Sequence, residues 1–115
     1  VYLYSEKQRD MEITFEKTYL QELYHRGKTT NKKYRFQPTI IRKYIRVIDL
    51  MISQPDTLSL RKYNGLNYER LQGDKRGLSS VRVNNQYRIE FEEKTVGEET
   101  VATICNIVEL SNHYK

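Results

Sequence analysis

At 115 residues, with 37% hydrophobic and 30% charged side chains, the chain has apolar material for one core and not for two. That composition excludes a disordered chain, and no apolar run approaches the roughly 18 residues of a membrane-spanning helix. The first residues also lack the apolar core of a secretory signal, so the expected location is cytoplasmic.

The net charge of +5 is laid out unevenly. Residues 1–60 carry eleven Lys/Arg against seven Asp/Glu, residues 61–88 seven against two, and residues 89–115 two against six. A basic middle suits nucleic acid or an acidic partner segment, because neutralising phosphates releases counterions. The plain alternative is charge that serves solubility. Cys105 has no second cysteine to pair with and sits in an apolar run, so it reads as a small buried hydrophobe. Only His25 and His113 supply imidazoles, with no metal-ligand spacing around them, and no metal or cofactor is expected.

In chain order, residues 1–10 read as an upstream extension, with Met11 as the natural start of one domain over residues 11–115. A strand-like run follows Met11. The spacing of Tyr19, Leu20, Leu23 and Tyr24 predicts a first helix over about Glu16 to Arg26, stopped by Gly27. Pro38 opens a second helix, to about Ser53, whose Ile41, Tyr44, Ile45, Ile48, Met51 and Ile52 make one apolar stripe while Arg42, Lys43 and Arg46 face outward. Leu58, Leu60, Leu66 and Leu71 are expected to pin an irregular segment onto the core. A last strand over about Thr100 to Leu110 is apolar without clean alternation, as for a central strand covered on both faces. The fold class is therefore α+β, with two N-terminal helices on one face of a small, mostly antiparallel sheet.

The stretch Gly73–Glu92 is the most informative. Val81 and Val83, then Tyr87, Ile89 and Phe91, alternate with period two, and both strands turn their apolar residues one way only if Val81 faces Ile89 and Val83 faces Tyr87. Arg82 then lies opposite Arg88, on the open side of the sheet. Like charges so placed repel, and a bound anion would relieve the cost. Just upstream, Lys75 and Arg76 sit on the turn Gly73–Gly77, where free backbone N–H groups are expected. Arg61, Lys62 and Arg70 extend the cationic segment, and Tyr63, Tyr68 and Tyr87 interleave it with rings on which bases could stack. Tyr87 is assigned to the core, because a chain with no Trp and three Phe must build its interior partly from Tyr.

The run from Leu66 to Phe91, with its leucine, its Gly73–Asp74 turn with the basic pair Lys75 and Arg76 and then Gly77, its strand arginine Arg82 and its Asn85-Gln86-Tyr87-Arg88 turn, resembles the signature of HigB toxins of the RelE/ParE superfamily. The resemblance follows the element order over nearly all of residues 11–115 and is specific over about residues 66–92. It implies a RelE-like fold and a bacterial toxin that cuts messenger RNA on the ribosome and is silenced by a HigA-like antitoxin. The chain departs from the family in two places: Glu69 and Gln72 stand where a lysine or histidine often precedes the turn, and the end reads Asn112-His113-Tyr114-Lys115 rather than Asp-Tyr-His.

RNA can be cut by its own 2′-hydroxyl if groups take that proton, stabilise the phosphorane and protonate the leaving oxygen. Arg82, Arg88, Lys75 and Arg76 suit the phosphate, and His113 or Tyr114 the proton transfers. Arg61, Lys62 and Arg70 would hold the RNA backbone. Two rival readings are a poison of DNA gyrase, which needs no acid–base pair, and a non-catalytic module binding RNA or antitoxin.

Overall fold

A computed structural model describes residues 11–95 and 104–112. The extension expected over residues 1–10 and residues 100–103 of the expected last strand lie outside the described residues, as do His113 and Tyr114.

The chain runs β1 (Glu12–Phe15), α1 (Thr18–Arg26), α2 (Pro38–Ile52), short 3-10 turns over Thr57–Lys62 and Asn64–Leu66, β2 (Glu69–Arg70), a further 3-10 turn over Gly73–Lys75, then β3 (Ser79–Arg82), β4 (Tyr87–Lys94) and β5 (Ile104–Asn112). The five strands form one sheet in the order β1-β5-β4-β3-β2, with β1 parallel to β5 and the other neighbours antiparallel.

The helix ends are where the sequence puts them. Gly27 takes the left-handed conformation (φ 75°), and its N–H donates to the Leu23 carbonyl. Pro38 occupies the first turn of α2, where its missing N–H costs nothing. Tyr19, Leu20 and Leu23 from α1 and Ile40, Tyr44, Ile48 and Met51 from α2 bury their side chains with Val81, Ile89, Phe91, Ile107 and Leu110 of the sheet. The buried Tyr44 hydroxyl donates to the Leu20 carbonyl at 2.8 Å, so the second helix is tied to the first inside the core without an orphaned donor. Of the four expected pins, Leu60 and Leu66 are buried and Leu71 half-buried, but Leu58 is 50% exposed. In the Thr57–Lys62 turn it is Thr57, not Leu58, that turns inward, under the Asp56 cap that accepts from the Ser59 N–H.

The hairpin register is the one that parity demands: Val81 pairs with Ile89 and Arg82 with Arg88. Tyr87 is half-buried, its ring edge-on to Phe36, so it flanks the core rather than filling it. The last strand differs from expectation in its cause. Glu90 pairs with Glu109 and Phe91 with Ile107, which leaves Val108 as an extra residue. This bulge shifts the phase of β5, so that Cys105, Ile107 and Leu110 all face the core while Asn106, Glu109 and Ser111 turn to the open side. The broken alternation thus marks a bulge, beside the expected coverage on both faces, which holds at residues 105–107.

Several groups give the fold an alkaline limit, the phenols of Tyr19, Tyr44 and Tyr68 among them, which burial raises above their ordinary value. The Tyr24 hydroxyl donates to Asp49 at 2.5 Å, and that bond, with partial burial, raises the phenol from 10.0 to about 12. Burial raises the Cys105 thiol from 9.0 to about 12. The folded-state values lie above the unfolded ones, so the stabilisation is whole below about pH 8 and is lost as pH climbs toward 12. Urea unfolding should give a constant midpoint up to about pH 8 and a falling one above it. Tyr24→Phe should cost about 1 kcal/mol at neutral pH and lessen, without removing, the fall above about pH 10.

Candidate functional site

On the open face, neighbouring strands carry a row of side chains at matched register: Glu69 on β2, Ser80 on β3, Glu90 on β4 and Glu109 on β5. Three carboxylates in one row would repel, and each is met by a cation from elsewhere in the chain. Glu69 pairs with Arg88 at 2.7 Å, Glu90 with Lys75 at 2.6 Å and Glu109 with Lys17 at 2.6 Å. The Glu109 carboxylate, by hydrogen bond and charge, raises the Lys17 ammonium above its ordinary range.

The Glu69–Arg88 pair is lopsided in a way that matters chemically. Arg88 is buried, its side chain 10% exposed, whereas the Glu69 side chain is 47% exposed. The guanidinium is fixed from three sides: Nε donates to the Ser80 hydroxyl at 3.0 Å, and Nη2 donates to the Asn67 carbonyl at 3.3 Å and to Glu69. Asn67 adopts a left-handed backbone (φ 46°) at the end of the preceding 3-10 turn, with its carbonyl within reach of Arg88. These bonds occupy Nε and Nη2 and leave Nη1 for a ligand. A charge held this firmly needs no reorganisation to meet an anion, and the half-exposed carboxylate beside it is reachable by a substrate hydroxyl.

The other sequence-predicted cations are not gathered onto the same point. Arg82 is the cross-strand partner of Arg88, but its guanidinium turns back to the hairpin bend, donating to the Asn84 carbonyl and to Asn85. The two guanidinium groups diverge, which eases the repulsion between them. Lys75 is neutralised by Glu90, whose side chain is 8% exposed, so this ion pair clamps the Gly73–Gly77 turn onto the open face. The N–H groups of Lys75, Arg76 and Leu78 donate within the turn, to Gln72, Gly73 and Lys75, so they are not the free donors expected there. Arg76 is exposed. Arg70 points to the other face of the sheet and meets Glu93 at 3.5 Å, while Arg61 lies over the Tyr68 ring and Lys62 over the Tyr63 ring. His113 and Tyr114 directly follow Asn112, which pairs with Tyr87 at the end of β5, and themselves lie outside the described residues. Among the described residues no cluster of His, Cys, Asp or Glu is arranged to hold a metal ion, and no helix is long and apolar enough to cross a membrane.

Glu69 is the residue that sequence reasoning missed. In the sequence it registers only as a departure from a basic residue; its value comes from the pairing of β2 with β3, which places it beside Ser80 and Arg88. A second feature was visible but unread: from Arg26 to Ile48 the chain has eight Lys/Arg and no Asp/Glu. All eight, from Arg26 through the α1–α2 connection to Arg46 on α2, are exposed, and none has an ion pair among the described residues.

Among solved structures the fold is similar to a YoeB/ParE toxin from Agrobacterium tumefaciens, with TM-score 0.52 and 15% identity over 90% of this chain and 100% of that one. A YoeB-YefM complex from Staphylococcus aureus aligns at TM-score 0.49 and 17% identity, covering 90% of this chain and 98% of that one. At these identities the likeness is one of architecture, and the first structure carries it. No curated protein matches the sequence. Residues 13–104 match the HigB-like toxin family, RelE-like toxins of type II toxin–antitoxin systems, and the chain belongs to that family.

The contrast between the paired arginines is measurable. Arg88→Ala removes a buried cation and strips the fully buried Ser80 of its donor, and should lower unfolding free energy by about 2 kcal/mol. Arg82→Ala, at an exposed position, should stay within about 0.5 kcal/mol of the parent. Urea titration of the two variants checks both.

Proposed function

We propose that this toxin is an endoribonuclease that cuts messenger RNA on the ribosome by attack of the RNA's own 2′-hydroxyl, and that a HigA-like antitoxin silences it. The observation that carries the reading is the Glu69–Arg88 pair, a reachable carboxylate beside a guanidinium fixed by Ser80 and Asn67.

In this mechanism a phosphodiester approaches the open Nη1 side of Arg88, and Glu69 accepts the 2′-hydroxyl proton as the oxygen attacks phosphorus. The developing phosphorane is stabilised by Arg88, and the bond to the 5′-oxygen breaks as that oxygen takes a proton, leaving a 2′,3′-cyclic phosphate. His113 or Tyr114 supplies that proton, coming from the segment that follows β5. Arg82 holds a flanking phosphate, and Lys75, through Glu90, holds the turn that carries Arg76 in place. Arg61, Lys62 and Arg70 take the RNA beyond the site.

The eight unpaired cations of residues 26–46 favour a large polyanion over a free message as the setting for cleavage, since their surface belongs to the helical layer and not to the open face. A ribosome offers such a phosphate-rich wall.

Induction of the wild type beside Glu69→Gln, with transcript ends mapped, tests the reading. Discrete cuts within codons should be lost, with a rate reduction of about 10²–10⁴-fold for the variant. DNA breaks with intact messages, or undiminished cutting by Glu69→Gln, would overturn it. His113→Ala and Tyr114→Phe should divide the acid role, the productive one losing about 10²-fold in rate. Replacing Arg42, Lys43 and Arg46 with Gln should weaken ribosome co-sedimentation and reduce the slope of log affinity against log salt by about 2.

A further inference from the structure

A cleft of about 580 Å³ lies at the other face of the β2–β3 edge, lined by Arg70, Gln72, Arg76, Leu78, Ser79 and Glu93 among others. Because successive residues of a strand point to opposite faces, Glu69 serves the open face while its neighbour Arg70 serves this cleft. An RNA strand passing over this two-residue edge could present a phosphate to one side and a base to the other.

The side chains of the cleft form an ordered polar constellation. Glu93, its side chain 12% exposed, is anchored through Oε2, which accepts from the Ser79 hydroxyl at 2.5 Å and from the Tyr68 hydroxyl. Oε1 is loosely engaged, with Thr57 at 3.3 Å and Arg70 at 3.5 Å, both near the limit of a hydrogen bond. One oxygen therefore fixes the carboxylate and the other keeps acceptor capacity on the side that Arg70 reaches. Above it stand two exposed guanidinium groups: Arg70, which reaches Glu93 at 3.5 Å and the Tyr68 hydroxyl, and Arg76, which has no ion pair among the described residues. Leu71 and Leu78, half-buried, supply apolar surface for a flat ring. The Tyr68 ring is already covered by Phe91 and Arg61 and is not available for stacking.

We propose that this cleft is a base-reading subsite selective for guanine, an inference that rests on the ribonuclease reading for its biological setting. Guanine offers two adjacent donors, N1–H and the N2 amino group, that can converge on Glu93 Oε1 in place of its long contacts, and two adjacent acceptors, O6 and N7, to a guanidinium. Adenine turns the bare N1 lone pair toward Glu93, cytosine its bare N3, and uracil has one ring donor where guanine has two. The volume admits a purine. Tyr68 is a positioning residue here: it holds the carboxylate, and burial together with the Glu93 bond raises its own phenol above the ordinary value, so it stays a donor at neutral pH.

Titration calorimetry on the full-length Glu69→Gln protein with the four 5′-monophosphates GMP, AMP, CMP and UMP, and with inorganic phosphate, tests this. GMP should bind about tenfold tighter than the other nucleotides, with phosphate alone competing poorly. Arg76→Ala, an exposed change that leaves the fold intact, should weaken GMP about tenfold and AMP little, and Glu93→Gln should erase the preference for GMP over AMP. Equal binding of the four nucleotides, GMP affinity unchanged by Arg76→Ala, or full competition by phosphate would overturn the proposal. The titration needs no cleavage, so it is decided separately from the ribonuclease reading: loss of cutting in Glu69→Gln bears on that reading alone.

Discussion

One extra residue in β5 decides which side chains share a face. Without the bulge at Val108, β5 would keep the phase of Cys105 and Ile107 to its end, and Leu110 would leave the core while Glu109 entered it. With it, the sheet turns Val81, Ile89, Phe91, Ile107 and Leu110 to the core and aligns Glu69, Ser80, Glu90 and Glu109 across the other face. The polar row is tolerable because each carboxylate receives its own cation: Arg88 from β4, Lys75 from the β2–β3 turn and Lys17 from the entry to α1. Core packing and the electrostatic pattern outside it thus have one geometric origin.

The three ion pairs do different jobs because their burial differs. The Lys17–Glu109 pair, partly exposed at both ends, adds little to stability. The Lys75–Glu90 pair has a buried acid and an exposed base, so its effect is to hold a turn down. The Glu69–Arg88 pair reverses that order, with the cation buried and the acid in reach of solvent. A buried guanidinium whose donors are otherwise met by a hydroxyl and a carbonyl cannot rotate to follow a departing partner, whereas a half-exposed carboxylate can. The pair is accordingly asymmetric in burial, with the cation held inside and the acid facing solvent.

Much of the frame could be read from the residues. Gly27 and Pro38 bounded the helices because each has a conformational reason to stand there, and the alternation of Val81, Ile89 and Phe91 fixed a register that put Arg82 opposite Arg88. The site was legible only in part, since parity tells which face a side chain leaves from and not where a long side chain ends. Arg82 and Arg88 leave side by side and end on the Asn84–Asn85 bend and on Glu69 respectively. Glu69 itself lies in a strand of two residues, too short to carry any periodic signal, and Val108 is one more apolar residue in an apolar run. Both become meaningful only through partners distant in sequence.

The brevity of β2 has its own consequence. Its two residues form the rim of the sheet, joined by backbone pairing to β3 alone, while Arg88 belongs to a strand paired on both sides. The acid and the cation of the site therefore sit on elements of unequal firmness, and peeling the rim would separate them while leaving the apolar interior untouched. Whatever grips that rim can hold Glu69 and Arg88 together or part them without having to compete with the stability of the whole molecule.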